Sequence, residues 1–231
     1  MIDIPIFDAA ASRLEPGARI PWHRHAGSYM AIIVEGRVDE ASESGRYCFC
    51  PGDYFIHQEF EAHADSVGAN GAMIVNVDLP ADFPEVPKSG VIDPEKFCSA
   101  LAAKGIGEAM KWAAAVAAPT GNRRNDWPDM LAAEIVAGGA ASVAEWAHRH
   151  GLAVETVSRG FRRAYGLSPK LFRAIVRARR AATATRLTAK PFAALAQEFG
   201  YCDQAHFSRA VHSVTGASPG VWRKSNGYNR G

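Results

Sequence analysis

The last hundred residues repeat themselves at an offset of 50, and this duplication limits the fold more than any other feature of the chain. Ser158-Arg159-Gly160-Phe161 corresponds to Ser208-Arg209-Ala210-Val211, Gly166-Leu167-Ser168-Pro169 to Gly216-Ala217-Ser218-Pro219, and Leu171-Phe172-Arg173 to Val221-Trp222-Arg223. Upstream the offset is 49: Ala144-Glu145-Trp146-Ala147 precedes Gly151 as Ala193-Ala194-Leu195-Ala196 precedes Gly200. Each copy reads as a short helix, a turn at glycine and a second helix. Ala147 and Ala196 stand where the two helices approach closely, and Gly151 and Gly200 offer the left-handed backbone that ends the first helix. In the second helix Val154, Val157 and Phe161, or Phe207 and Val211, face inward. That leaves Glu155, Thr156, Ser158, Arg159 and Arg162 outward in one copy, and Gln204, His206, Ser208 and Arg209 in the other.

Charge divides along the same line. Residues 126–231 carry 15 Lys and Arg against 7 Asp and Glu, and the rest of the chain carries 11 against 17. A chain polarised in this way suggests that one half meets a polyanion. A helix-turn-helix unit sets its second helix in the major groove of double-stranded DNA, where Arg bridges guanine O6 and N7 and Gln reads adenine. Between the copies, residues 170–187 read as a basic helix bearing Arg173, Arg177, Arg179, Arg180 and Arg186. Its length of roughly 27 Å is near the ~34 Å between successive major grooves on one DNA face. Arg177 is the phosphate contact expected on it. Glu155 is a poor base reader, because a carboxylate accepts only from cytosine N4 and repels phosphate. Gly160, mid-helix, costs about 1 kcal/mol relative to Ala and makes the first recognition helix the less rigid of the two.

The segment 192–223, with Gly-Tyr-x-Asp-Gln-x-x-Phe-Ser-Arg at 200–209, resembles the second helix-turn-helix of the AraC/XylS family of bacterial transcription regulators, and 143–173 resembles the first. The resemblance spans about the last hundred residues. It implies a seven-helix domain whose first helix covers 127–136. It also implies base contacts from Glu155, Ser158 and Arg159 in the first recognition helix, and from Gln204, His206 and Arg209 in the second. A sequence-specific regulator acting as a homodimer follows, with RNA polymerase a further partner where it activates.

Residues 1–90 read differently, as short strands at 31–34, 47–49, 54–56 and 73–77 between turns such as Pro51-Gly52-Asp53 and Asn70-Gly71, a pattern of sandwiches and small barrels. Gly17-x5-His23-x-His25 followed by Gly36, and Pro51-Gly52-Asp53 leading to His63, resemble the two signatures of the cupin barrel. His23 and His25 share one face of a strand, and with His63 they form a set suited to zinc or another divalent metal. The cupin pattern's Glu after the second His is replaced here by Tyr29 and Met30, which weakens any case for iron or manganese chemistry. His57 is a candidate substitute ligand, although its place by a turn points it to solvent. The same histidines also suit a metal-free pocket, or ordinary core and surface positions. Trp22, Tyr29, Tyr47, Phe49 and Tyr54 are candidate walls of an apolar effector pocket.

These readings give an α+β chain with a cupin-like β-barrel at 1–90, a helical connector at 91–125 and an all-α double helix-turn-helix domain at 126–231. Connector helices at 95–110 and 111–118 carry Phe97, Leu101, Ile106, Met110 and Trp112, a face for packing on the barrel or for pairing two subunits. Arg123 to Asp126 read as a polar hinge. No stretch approaches the roughly 18 to 20 apolar residues of a membrane span, the start lacks a basic leader region, and the four cysteines make neither a CxxC pair nor a disulfide framework. A cytoplasmic, non-enzymatic regulator responding to a small effector or metal is the expectation. Two other readings compete: a constitutive DNA-binding factor whose barrel only dimerises, and a metal-dependent cupin enzyme, which leaves the duplicated unit unexplained.

Overall fold

The structure, a computed structural model, describes residues 6–7, 12–80, 83, 86–138 and 142–225. Two compact units emerge. Residues 6–42 and 46–124 form a strand unit, and residues from Asn125 onward, with 43–45, form a helical unit. The connector therefore belongs to the strand unit, and the division falls between Arg124 and Asn125.

The strand unit contains β1 (Ile6–Phe7), β2 (Ser12–Leu14), β3 (Arg19–His25), β4 (Tyr29–Ser42), β5 (Gly45–Phe49), β6 (Asp53–His57), β7 (Ala62–Asp78) and β8 (Ser89–Val91). They build one sheet in the order β1-β3-β7-β4-β6-β8, with β2 on β7 and β5 on β4. Its axis is the antiparallel pairing of β4 with β7, two strands far longer than the short runs that composition suggests. Their register shifts between Ile33 and Glu35 and again between Gly36 and Val38. Because side chains alternate along a strand, each irregularity changes which residues face inward. Tyr29, Ala31 and Ile33 line the interior of the unit before the shifts, and Val38 and Glu40 line it after them. β7 changes parity in the same way, from His63 and Asp65 to Ile74 and Asn76. Gly36 permits this: its φ is +77°, and a Cβ there would collide with the carbonyl of Gly71.

The opposite face of the sheet meets α1 (Pro94–Val116), which starts on Pro94 behind an Asp93 cap that accepts from the Lys96 amide and breaks at Gly105 rather than near residue 110. Phe97, Met110 and Ala113 of α1 pack on Met30, Ile32, Tyr54 and Ile56, and Leu101, Ile106 and Trp112 border this cluster. The connector's apolar face is thus covered from within its own unit. Beyond α1 the chain runs extended along the sheet. Ala118 exchanges two backbone hydrogen bonds with Val91, the Cys48 amide donates to the Asn122 carbonyl, and the Arg124 amide donates to the Arg46 carbonyl. The first part of the expected hinge is therefore a paired strand edge.

The helical unit holds seven helices among its described residues: α2 (Trp127–Ala137), α3 (Val143–Arg149), α4 (Val154–Tyr165), α5 (Pro169–Leu187), α6 (Phe192–Glu198), α7 (Gln204–Thr215) and α8 (Pro219–Lys224). The repeated Gly-x-Ser-Pro acquires a physical meaning. Gly166 and Gly216 end α4 and α7 in the left-handed conformation; Ser168 and Ser218 then cap α5 and α8 by accepting from Leu171 and Val221, each followed by Pro at the first helical position. Each tetrapeptide is one complete corner between two helices. The core around these corners includes Trp146, Phe161, Tyr165, Phe172, Phe207 and Val211, all at most 1% exposed. Tyr165 donates to the buried Asp129 of α2 at 2.8 Å.

Gly160 answers to packing, not flexibility: a Cβ at this position would overlap the indole of Trp127. Gly160→Ala is expected to destabilise the helical unit by about 1–3 kcal/mol, read from denaturation followed by tryptophan fluorescence. Trp127→Phe should restore part of that loss in the double variant. A neutral Gly160→Ala would show that the close approach is not required.

Candidate functional site: two recognition helices and a histidine-lined cavity

In the helical unit α4 and α7 occupy equivalent places in the two copies. Phe161 and Val157 of α4, and Phe207, Val211 and Val214 of α7, are buried, whereas Glu155, Thr156, Arg159, Arg162, Gln204 and Arg209 are exposed. Ser158, His206 and Ser208 are half-buried, and Val154, read as inward, is 39% exposed. Arg163 and His212, not singled out from the sequence, join the exposed faces of α4 and α7. The two helices differ at their N-termini. Asp203 caps α7 by accepting from the His206 amide at 2.6 Å, an interaction that holds its carboxyl below the usual range. Ala153, at the same place before α4, offers no side-chain cap.

Cationic side chains of the basic helix α5 make contacts within the unit. The Arg177 guanidinium donates to the Gly200 carbonyl at 3.1 Å and lies 4.4 Å over the Tyr201 ring. Arg180 reaches the Val136 carbonyl and Arg186 lies over Trp222. From α8, Arg223 donates to the Thr185 and Lys190 carbonyls. Arg177, expected on phosphate, contacts the turn that precedes α7. The reason is the helix end: carbonyls of the last turn lack partners within the helix, and cationic side chains meet them.

In the strand unit, a cavity of about 280 Å³ is lined by residues of β2, β3, β4, β5, β6 and β7. His23, His25 and His63 converge there, buried, with one ring nitrogen of each within 4.8 Å of the others. His23 Nδ1 lies 3.0 Å from the Pro21 carbonyl and His63 Nδ1 3.4 Å from that of Glu61. A ring that donates through Nδ1 keeps a lone pair on Nε2, which is how proteins orient an imidazole toward a metal. Burial, with the neighbouring His57 adding to it, keeps His23 below its ordinary pKa, and burial among three other imidazoles pushes His63 well below. Neutral imidazoles are the form that ligates a metal, so these three residues fit a divalent ion such as zinc. Tyr29 sits where the cupin pattern has its carboxylate, and its hydroxyl is 3.1 Å from His63 Nε2.

Of the aromatic residues expected around a pocket, Tyr29 and Phe49 line the cavity; Trp22, Tyr47 and Tyr54 do not. Alternation explains Tyr54 and Trp22, which stand on the other face of β6 and β3 from His57 and His23. Tyr54 instead packs under α1 and donates to the Pro87 carbonyl. Tyr47 stacks on Phe49 within an adjoining cluster. His57, expected in solvent, is 2% exposed and faces inward, with Nε2 3.3 Å from Glu40 Oε2. Glu40, Asp65 and Asp53 also line the cavity and were not anticipated. Burial and the Glu40 charge push the Asp65 carboxyl well above its usual pKa. The Asp53 carboxylate turns outward to the extended segment after α1. It accepts from Thr120 Oγ1 at 3.2 Å, from the Cys50 amide and from the Asn122 side-chain amide.

Residues 146–225 match the family described as "Helix-turn-helix domain". The helical unit carries an AraC-type helix-turn-helix domain. This domain supports a role in DNA-binding transcription regulation. The chain is similar to the C-terminal domain of AraT, a response regulator from Geobacillus stearothermophilus (22% identity over 42% of this chain and 84% of that one, TM-score 0.38). It is also similar to an AraC-type regulator from Chromobacterium violaceum (19% identity, 43% and 91% covered, TM-score 0.39) and to ToxT from Vibrio cholerae with bound unsaturated fatty acid (6% identity, 93% of each chain, TM-score 0.41). No curated protein matches the chain. Among the described residues no helix is long and apolar enough to cross a membrane.

Within the AraC-type domain, Arg177→Ala is expected to lower stability by about 1–2 kcal/mol, the sum of a hydrogen bond and a ring contact. The slope of DNA affinity against salt should stay unchanged, since no phosphate contact is lost. A shallower slope at unchanged stability would return Arg177 to the DNA backbone.

Proposed function

We propose that the chain is a sequence-specific transcription regulator that reads DNA through α4 and α7 and changes its DNA binding with what occupies the histidine-lined cavity. The observation that carries the reading is the pair of equivalent helices in the AraC-type domain, each with an apolar side buried and Arg, Gln or Thr exposed. Arg159 and Arg209 are the base readers for guanine and Gln204 the reader for adenine. Thr156, Ser158, Arg162, His206 and Ser208 border the same faces, with Glu155 the least suited to DNA. The capped α7 is the better-ordered reader. A barrel that serves only to pair subunits through the connector has less support, because Phe97 and Met110 are already fully buried in their own unit.

Two ligand modes are compatible with the cavity. His23, His25 and His63 would hold a divalent ion such as zinc, and Tyr29, Phe49, Ile33 and Phe55 offer walls for a small organic effector. A route out of the cavity is supported by Asp53: it shares β6 with Phe55 and His57, and its carboxylate holds Thr120 and Asn122, a few residues before the AraC-type domain begins.

Selection of bound sites from random DNA, with and without zinc, tests the reading. Arg209→Ala should weaken specific binding by about 1–3 kcal/mol and relax one base position; retained sequence-specific affinity in the Arg159→Ala, Arg209→Ala double variant would sink the proposed readout. Zinc titration by calorimetry should show binding that His63→Ala abolishes. In Asp53→Asn, zinc should still bind while its effect on DNA affinity is lost. An unchanged zinc response in that variant would remove Asp53 from the route.

A further inference from the structure

Tyr29 stands where the cupin pattern has a carboxylate, and its hydroxyl meets the atom of His63 that a metal would need. The distance from Tyr29 Oη to His63 Nε2 is 3.1 Å, and the contact is buried. His63 Nδ1 is turned to the Glu61 carbonyl at 3.4 Å, so in the neutral ring Nδ1 donates there and Nε2 is the acceptor. A phenol is protonated at neutral pH, and Tyr29 therefore donates its O–H to Nε2. A neutral imidazole has one lone pair in the plane of its ring. The hydroxyl and a divalent ion compete for it, since a nitrogen bound to metal at about 2.0–2.1 Å accepts no hydrogen bond.

The surroundings hold the hydroxyl in that place. The Tyr29 ring stacks on the His57 ring, centroids 4.6 Å apart and planes 15° from parallel, and meets the His25 ring edge-on at 4.5 Å. Tyr29 is 3% exposed, and it lies opposite His57 in the β4–β6 pairing. With two imidazoles against it the ring is ordered before any ion arrives, so its bond to His63 forms at little cost in side-chain entropy. A carboxylate in this position would add a charged ligand to three neutral imidazoles. A phenol that caps one of the three does the reverse.

We propose that Tyr29 is a competitor built into the metal site: its hydroxyl occupies the ligating lone pair of His63 in the metal-free chain and sets the free-ion concentration at which the three histidines fill. Each ion that binds must break one buried hydrogen bond and turn the hydroxyl away from Nε2. The apparent affinity is lowered by the fraction of molecules in which that nitrogen is uncapped. Tyr29 is thus a positioning residue for the site and not one of its ligands. This inference rests on reading His23, His25 and His63 as a metal site and adds what determines its affinity.

Zinc affinity tests it on the full chain, stripped of metal and titrated against a competing zinc-binding dye, for the native protein, Tyr29→Phe and His63→Ala. Tyr29→Phe keeps the ring and deletes only the hydroxyl, so zinc should bind about two- to tenfold more tightly, the equivalent of one neutral hydrogen bond. His63→Ala should lose binding. With cobalt in place of zinc, the visible bands of the native protein and Tyr29→Phe should coincide, because the hydroxyl is not a ligand. Should Tyr29→Phe not fold, nitrogen NMR of the native, metal-free histidines gives a second measurement: the proton of the His63 ring belongs on Nδ1, with Nε2 a hydrogen-bonded acceptor. Zinc affinity that is unchanged or weaker in Tyr29→Phe, cobalt bands that move with the hydroxyl, or a proton on His63 Nε2 would each overturn the proposal. If zinc binds through His63 and Tyr29→Phe leaves its affinity unchanged, the metal reading stands and the competition falls. If neither the native protein nor Tyr29→Phe binds zinc, the metal reading falls and the competition with it.

Discussion

Helix ends leave carbonyls that nothing inside the helix can satisfy, and the arrangement of the AraC-type domain depends on how α5 meets them. Six of the seven helices described in this unit are 12 residues long or shorter, so unsatisfied ends are close together. Arg180 closes the end of α2, Arg177 the turn after α6, and Arg223 of α8 the end of α5 itself. The Arg177 bond braces the turn from which α7 projects, while Arg223 and the Trp222 indole N–H, which donates to the Ala182 carbonyl, tie α8 to α5. Two cationic groups of α5, Arg177 and Arg186, thus contact the second helix-turn-helix, at Gly200 and Trp222. Guanidinium groups suit this role, because a planar fork can donate to a carbonyl and lie over a ring at once, as Arg177 does on Gly200 and Tyr201.

Asymmetry between the two readers has the same kind of origin. α4 and α7 share length, a left-handed glycine at the C-terminus and a serine-proline corner beyond it. They differ where Ala153 replaces Asp203, and with it the bond that satisfies an amide of the first turn. An N-cap of this kind is worth about 1 kcal/mol against Ala. α4 is compensated by packing: Trp127 lies against its Gly160, which places an indole from α2 where a side chain would otherwise stand. Thus α7 is ordered by its own cap and α4 by a neighbour.

Much of this was legible in the sequence, and what escaped has identifiable causes. The duplicated Gly-x-Ser-Pro announced both corners, because cap residues act locally and need no tertiary information. His23, His25 and His63 were legible through spacing and resemblance, since a strand of known direction fixes their shared face. The carbonyl and ring contacts of Arg177, Arg180 and Arg186 were not legible, because sequence reports charge but not which group lies within reach. Tyr54 lies off the cavity because an aromatic residue suits either face of a two-sided sheet, and α1 on the far side covers it. Glu40 was beyond reach. Counted by alternation from Tyr29 it falls on the wrong face of β4, and the extra residue on β4 between Ile33 and Glu35 brings it inside.

The same irregularity joins the chemistry of the cavity to the backbone that shapes it. With unbroken pairing, β4 would continue to present odd-numbered residues inward, and the cavity would receive Asp39 in place of Glu40. Asp39 instead stands outside, where Arg37 and Arg124 hold it. The irregularity thus sorts two adjacent carboxylates into different tasks. One pairs with His57 in the interior, and the other ties down Arg124, the last residue before the helical unit. Asp53 adds a tie to the same segment through Thr120 and Asn122. The approach to the AraC-type domain is therefore held by side chains from β4 and β6, each a strand neighbour of a group facing the cavity.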